Sequence, residues 1–331
     1  MFLIDEPSTA ILFCIITMLG WGSWANTQKM AGKEKWPFEL YYWDYALGVL
    51  VLAIVLFFTL GQSGARGMVG TQNLAQASGA ALAKAFLSGV LFNISNILLV
   101  VAIDAAGMSV AFPVGVGLAL VIGTIGSYLQ QPKGNSLLLL AGVILVIFAM
   151  IMSAVAHSKL PGVPGRKRSR GVIFAVVAGC LMGLFYPQLA SSISPGFVSQ
   201  PIVTGMLTPY TALLLFAAGV VSSNFFVNTI FIRAGGHTYG AYFTGSLRLH
   251  ALGMVGGIIW MLALSSNVIA AGVAGPAVSY ALGQGATLVA AIWGVFVWKE
   301  FRSAPAGTLV YIVLMFAGYA VGLTLIGAAT L

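Results

Sequence analysis

SLLLLAGVILVIFAMIMSAVA, residues 136–156, carries no charge and is apolar on every face. A membrane β-barrel strand needs about 10 residues of alternating polarity, whereas an α-helix needs about 20 mainly apolar residues to cross a hydrocarbon core. The stretch reads as a helical span. Nine further runs of this kind fall at roughly 8–28, 40–61, 82–104, 108–129, 172–193, 207–232, 245–265, 271–298 and 305–329, beside this one at 136–157. The expected fold class is an all-α membrane protein with ten transmembrane helices.

Composition excludes the alternatives. Of 331 residues 60% are hydrophobic and only 7% charged, with a mean hydropathy of +1.01. One soluble domain cannot hide that much apolar surface from water. The net charge of +8 reads as a topology signal, because Lys and Arg favour the cytoplasmic side of a membrane. With the N-terminus outside, the inner loops and helix ends hold all but three of the 15 Lys and Arg residues, the exceptions being Arg66, Lys84 and Lys133. Both termini are therefore expected outside, with a basic cytoplasmic linker at 159–170. No nucleic-acid partner is expected, since the basic residues cluster where the inside rule places them. The first run is read as a retained span because its leading segment, MFLIDEPS, is acidic where a signal peptide is positive. Cys14 and Cys180 both fall inside spans and read as small core side chains.

The linker divides the chain into 1–158 and 171–331, with five runs in each. GVGLALVIGTIGSYLQQ (115–131) and GQGATLVAAIWGVFVWKE (283–300) align at an offset of 168, pairing Gly115 with Gly283, Gly117 with Gly285 and Gly126 with Gly294. Two five-helix repeats are expected. An odd number of spans per repeat inverts the second relative to the first, as in many carriers. The glycine-rich surfaces suit internal helix packing or a homodimer contact.

Polar side chains inside such runs mark candidate sites, because hydrocarbon penalises them unless they face a partner or a wet cavity. Asn93 and Asn96 are three residues apart, share a helix face, and offer both donors and acceptors. Tyr186 flanks Pro187, Tyr210 follows Pro209, and Gln284 lies between two glycines. Prolines free backbone carbonyls and bend helices. Trp21, midway along its run, and Trp260 could stack on a planar ring or a sugar face. These seven residues are the expected substrate contacts. Asp44, within ELYYWDYALG, is the expected proton-coupling group, with a helix N-terminal carboxylate as its structural alternative. Asp104 reads as a loop or cap residue.

Other chemistry is set aside. GQSG at 61–64 has the form of an intramembrane serine protease site, with Ser63 as nucleophile and His250 as a conceivable base, but the serine falls at the outer end of its helix. The linker lacks the phosphate-cradling GxxxxGK[ST] spacing. His157 and His237 stand near helix ends with no carboxylate or Cys cluster nearby in sequence, so neither a metal nor a cofactor is expected.

AILFCIITMLGWGSWANTQKM…WPFELYYWDYALGVLVLAIV, FNISNILLVVAIDAAGMSVAFPVGVGLALVIGTIGSYL and, more loosely, WGVFVWKEFRS resemble the ureide permeases of plants and their bacterial relatives, and more distantly the glucose/ribose porters and the rhamnose/proton symporter. All of these belong to the drug/metabolite transporter superfamily. The resemblance implies ten helices in two inverted halves around a central substrate site. Plant members carry a phosphate-loop-like motif in a large central loop; here that loop is short and lacks it. The resulting expectation is a secondary active transporter in a bacterial plasma membrane, not an enzyme, moving a sugar, ureide or nucleobase by alternating access with a proton. An exporter of drugs or metabolites is the alternative in the same class, and an intramembrane hydrolase the alternative in another.

Overall fold

The computed structural model describes residues 1–64, 66–160 and 168–330, except the side chains of Asp104, Met108, Ser109, Phe112 and Arg168. The middle of the 159–170 linker and the side chain of Asp104 thus lie outside the described residues. Among the described residues there are ten helical segments long and apolar enough to cross a membrane, and the chain is an all-α membrane protein.

The first span is α1 (Pro7–Ser23) followed after Trp24 by α2 (Ala25–Lys33), and the second is α3 (Phe38–Phe58). A short α4 (Gly70–Gln76) precedes α5 (Gly79–Ala106), α6 (Met108–Gln130) and α7 (Ser136–Ser158). The second half holds α8 (Arg168–Ala190), α9 (Pro209–Ala234), the short α10 (Tyr239–Phe243) and α11 (Leu247–Ala274). The ninth span is broken into α12 (Pro276–Gly283), α13 (Ala286–Ile292) and a π-helical stretch Trp293–Val297, and α14 (Thr308–Ala328) is the tenth.

All ten runs expected from hydropathy recur as helices. Two boundaries move. The first span continues to Lys33, and the eighth to Ala274, so that the ninth begins only at Pro276. Gly275 makes that boundary (φ 86°, ψ 151°), and Gly107 makes the corresponding one between α5 and α6 (φ 87°, ψ 156°). This backbone region is open essentially to glycine alone, so each hairpin closes on one residue. Pro276 then suits the first helical position, where no N–H is required. The two turn glycines stand at the same offset of 168 as the glycine pairs in α6 and the ninth span.

Packing follows the same pairing. The third span of the first half, α5, packs on α8 and α9; the third span of the second half, α11, packs on α1 and α3. Lipid gives helices no hydrophobic reason to associate, so close backbone approach must supply the contact. A Cβ added at Gly89 would stand 2.0 Å from the Phe216 carbonyl oxygen, and one at Gly257 would stand 2.0 Å from that of Tyr45. These crossings bring the middles of α1, α3, α5, α9 and α11 together around the centre of the molecule.

Candidate functional site

Each helix meeting at the centre contributes an aromatic ring. Trp260 of α11 stacks on Phe92 of α5 (ring centroids 4.1 Å), Phe216 of α9 (5.8 Å) and Trp21 of α1 (5.9 Å). Trp21 meets Tyr280 of α12 edge-on, and Tyr280 stacks on Tyr186 of α8 at 4.7 Å. Tyr45 of α3 approaches the same Trp260 at 6.4 Å.

The polar groups around this cluster are only partly satisfied. Asn93 is fully buried and donates through Nδ2 to Ser223 Oγ (3.0 Å), while its Oδ1 has no partner among the described residues. Trp21 Nε1 and Tyr45 Oη are likewise buried without a described partner, as are both side-chain polar atoms of Asn224, which follows Ser223 on α9. Leaving a buried polar group unsatisfied costs about 1–3 kcal/mol each. A site with this many such atoms is suited to a ligand bearing both donors and acceptors. Asn96 donates to Tyr42 Oη at 3.1 Å. The Tyr186 hydroxyl shares a 3.0 Å hydrogen bond with Ser279 Oγ, and Asn267 Nδ2 donates to the Ser279 carbonyl at 2.7 Å.

Two cavities flank the cluster. The larger, about 560 Å³, is lined by the C-terminal ends of the first, third, fifth and ninth spans, including Trp24, Asn96, His157, Thr287 and Glu300. The smaller, about 150 Å³, lies at the opposite ends of the helices and is lined by Gln131, Lys133, Tyr186, Ser194 and Gly272. Tyr186 therefore faces one cavity. Asn96, one turn from Asn93, faces the other. Lys133 donates to the Gly272 carbonyl at 3.1 Å, and partial burial lowers its ammonium pKa from the usual lysine range.

Asp44 sits apart from the aromatic centre, at the seam of α3 and α11. It is only 3% exposed. Its Oδ1 accepts from the Tyr242 hydroxyl (2.7 Å) and its Oδ2 from His250 Nδ1 (2.9 Å). An ionised carboxylate only accepts, so the His250 proton is assigned to Nδ1. No side-chain hydrogen bond caps the start of α3, so Asp44 acts between helices and is not an N-terminal cap. His250, weighed from sequence as a base for Ser63, is thereby engaged elsewhere. Ser63 follows the far end of α3, a helix of 21 residues or about 30 Å, and the pair required by a hydrolase is not assembled.

Of the seven expected substrate contacts, Trp21, Asn93, Asn96, Tyr186 and Trp260 gather in and around the aromatic centre. Gln284 lies at the turn between α12 and α13, next to Gly283, where an added Cβ would meet Trp21 and Asn267. Tyr210 does not join them: its hydroxyl donates to the Phe2 carbonyl at 3.1 Å, tying the N-terminal segment to α9. His157 does have a carboxylate nearby, since Glu300 approaches it from 143 residues further along the chain. Phe92, Phe216 and Tyr280 at the centre, the buried Asn224 of α9, and Tyr242 and His250 as partners of Asp44 were not singled out as site residues in the sequence. A signal existed for Asn224 and Asn228, two amides four apart inside an apolar run. The phenylalanines gave none.

No family model matches the chain. A stretch of 162 residues, 48% of the chain, is 26% identical to ureide permease 4 of Arabidopsis thaliana, and 161 residues, 47% of the chain, are 24% identical to ureide permease 2 of the same plant. The matched stretches span 40% of the length of each of these relatives. A crystal structure superposes over 95% of this chain and 96% of its own with a TM-score of 0.58 at 15% identity, a likeness of fold alone.

Proposed function

We propose that this protein is a secondary active transporter that moves a small polar metabolite by alternating access. The observation that carries the proposal is the set of buried, unpartnered polar atoms around Trp21, Trp260 and Asn93, enclosed by aromatic rings and flanked by a cavity at either end. A ring-shaped solute with carbonyl, N–H or hydroxyl groups satisfies such atoms and stacks on the indoles, which fits a ureide, nucleobase or sugar. The partial likeness to ureide permeases and the helical membrane fold favour a carrier over an enzyme.

In this proposal the two halves, 1–158 and 171–331, are inverted repeats of the drug/metabolite transporter type. Their corresponding spans exchange packing partners across the centre, which supports the pairing. Rocking of the halves opens the aromatic centre to one cavity and then to the other. Trp21, Asn93, Asn96, Tyr186, Trp260 and Gln284 contact the substrate. In this reading the larger cavity faces the cytoplasmic side of a bacterial inner membrane, with both termini outside and the 159–170 linker inside, which the clustering of Lys and Arg favours.

Asp44 is proposed as the coupling group. A proton on its carboxyl removes the charge that orders Tyr242 and His250 and so loosens the α3–α11 seam. The site is tested by counterflow in proteoliposomes with labelled allantoin, uracil, glucose, ribose and rhamnose. Asn93→Ala is expected to lower exchange of the transported ring at least tenfold while the protein stays folded. Wild-type exchange in Asn93→Ala contradicts the placement of the site.

A further inference from the structure

A second titratable cluster lines the mouth of the larger cavity, away from Asp44. His157 ends α7, Lys29 lies on α2, and Glu300 follows the π-helical stretch. Lys29 Nζ stands 2.6 Å from Glu300 Oε1, and His157 Nε2 stands 3.7 Å from Glu300 Oε2. The local backbone delivers the glutamate there. Widening at Trp293–Val297 is followed by a left-handed residue, Lys299 (φ 53°), and the Glu300 N–H donates back to the Gly294 carbonyl at 3.0 Å. A Cβ at Gly294 would stand 2.9 Å from Glu300 Oε2, so glycine there makes room for the carboxylate.

The protonation pattern of His157 is constrained by its other nitrogen. Nδ1 lies 2.9 Å from the Ser153 carbonyl, which can only accept, so Nδ1 carries a proton. In the neutral ring, Nε2 then presents a lone pair to a carboxylate. In the charged ring it presents an N–H, and an ion pair replaces that opposition. The His157 ring and the Lys29 ammonium beside Glu300 hold its carboxyl low, at about 2, so the glutamate stays ionised down to pH values well below neutrality. Other charged groups near the cluster are Lys33, which with Lys29 lies over the Trp298 ring, and Lys159, over Tyr311 of α14. The ring of Phe301 meets His157 edge-on at 4.8 Å. Arg166, Lys167 and the side chains of Asp104 and Arg168 lie outside the described residues.

We propose that His157 is a second proton site, one that on charging binds Glu300 and joins α2, α7 and the segment after the ninth span into a rim that holds the large cavity open. The three groups already stand together in the cavity-open form. Protonation adds a contact to this form and none to a form in which the rim has come apart, so acid shifts the population toward the open mouth. The inference rests on alternating access but not on Asp44 or on the identity of the substrate.

The test reads the mouth directly. Spin labels at Gly32→Cys on α2 and Ile103→Cys on α5, both lining the cavity, are placed in a protein with Cys14 and Cys180 replaced by Ala. Their separation is measured in nanodiscs by double electron–electron resonance at about pH 8 and about pH 5.5. The wide-to-narrow ratio is expected to rise about three- to fivefold in acid, the size a partly exposed ion pair supplies. His157→Gln and Glu300→Gln should each abolish the rise. Two separations in a ratio that ignores pH, or a rise retained in His157→Gln, overturn the proton site and leave the transport reading intact. A single separation at both pH values overturns both.

Discussion

Replacing Asp44 with Asn tests whether the α3–α11 seam is held by a charged network. The carboxylate is 3% exposed and accepts from Tyr242 and His250 at 2.7 and 2.9 Å. Hydrogen bonds to a charged group contribute about 1.5–3 kcal/mol. The His250 side chain is 24% exposed, which puts its share near the lower end of that range. Asparagine keeps one acceptor for Tyr242 but turns an N–H toward the His250 N–H. The expected cost of Asp44→Asn is about 2 kcal/mol, and of His250→Gln about 1–1.5 kcal/mol. Once His250 is gone, Asp44→Asn should cost only about 1 kcal/mol, leaving a coupling of about 1 kcal/mol. Equilibrium unfolding of the purified protein in mixed detergent–dodecyl sulfate micelles gives the four free energies of the cycle. Costs that add within about 0.3–0.5 kcal/mol would refute the network and reduce Asp44 to an isolated buried carboxylate.

Gly275→Ala and Gly107→Ala each force a side chain into a glycine-only backbone region, and should lower stability by about 1–3 kcal/mol in the same unfolding measurement. Tyr210→Phe removes only the hydrogen bond to Phe2, so a loss of about 1 kcal/mol of stability is expected, with substrate affinity in exchange assays unchanged. Ser63→Ala should leave transport at the wild-type rate; loss of activity would reopen the hydrolase reading. Glu300 has a carboxyl held low, at about 2, by His157 and Lys29. Its stabilising contribution is present above the ordinary carboxylate range and disappears as pH falls toward about 2. Glu300→Gln is therefore expected to lower the melting temperature at neutral pH by a degree or two, about what a partly exposed pair supplies, with the difference closing only as pH falls below the ordinary carboxylate range toward about 2.

What could be read from sequence followed the physics that local pattern reports. Lipid demands long apolar helices, so the runs at 136–157 and elsewhere announced themselves by hydropathy. The boundary after Ala274 did not, because a one-residue turn at Gly275 leaves the apolar run almost uninterrupted. The short α4 and α10 carry too few residues to form a pattern. Asn93, Trp21 and Trp260 were legible as candidates because each is conspicuous inside a span. Their gathering was not, since it depends on how five helices cross. Asp44 was visible as a lone acid, but its partners lie 198 and 206 residues away. His157 looked isolated for the same reason. Tyr210 shows the converse: a polar side chain beside a proline looks like a broken helix at a binding site, yet its hydroxyl is occupied by the N-terminal backbone.

In the proposed function the aromatic centre passes a small polar solute across the membrane at the expense of a proton gradient. The most direct test is uptake into proteoliposomes of labelled allantoin, uracil, glucose, ribose and rhamnose under an inward proton gradient, with and without an uncoupler, for the wild type and Asp44→Asn. One ring class is expected to accumulate above equilibrium, the uncoupler to abolish the accumulation, and Asp44→Asn to equilibrate the solute without concentrating it. Accumulation that persists with the uncoupler, or an unchanged ratio in Asp44→Asn, would contradict the proposed coupling, and failure of every ring class to cross would contradict the proposed substrate.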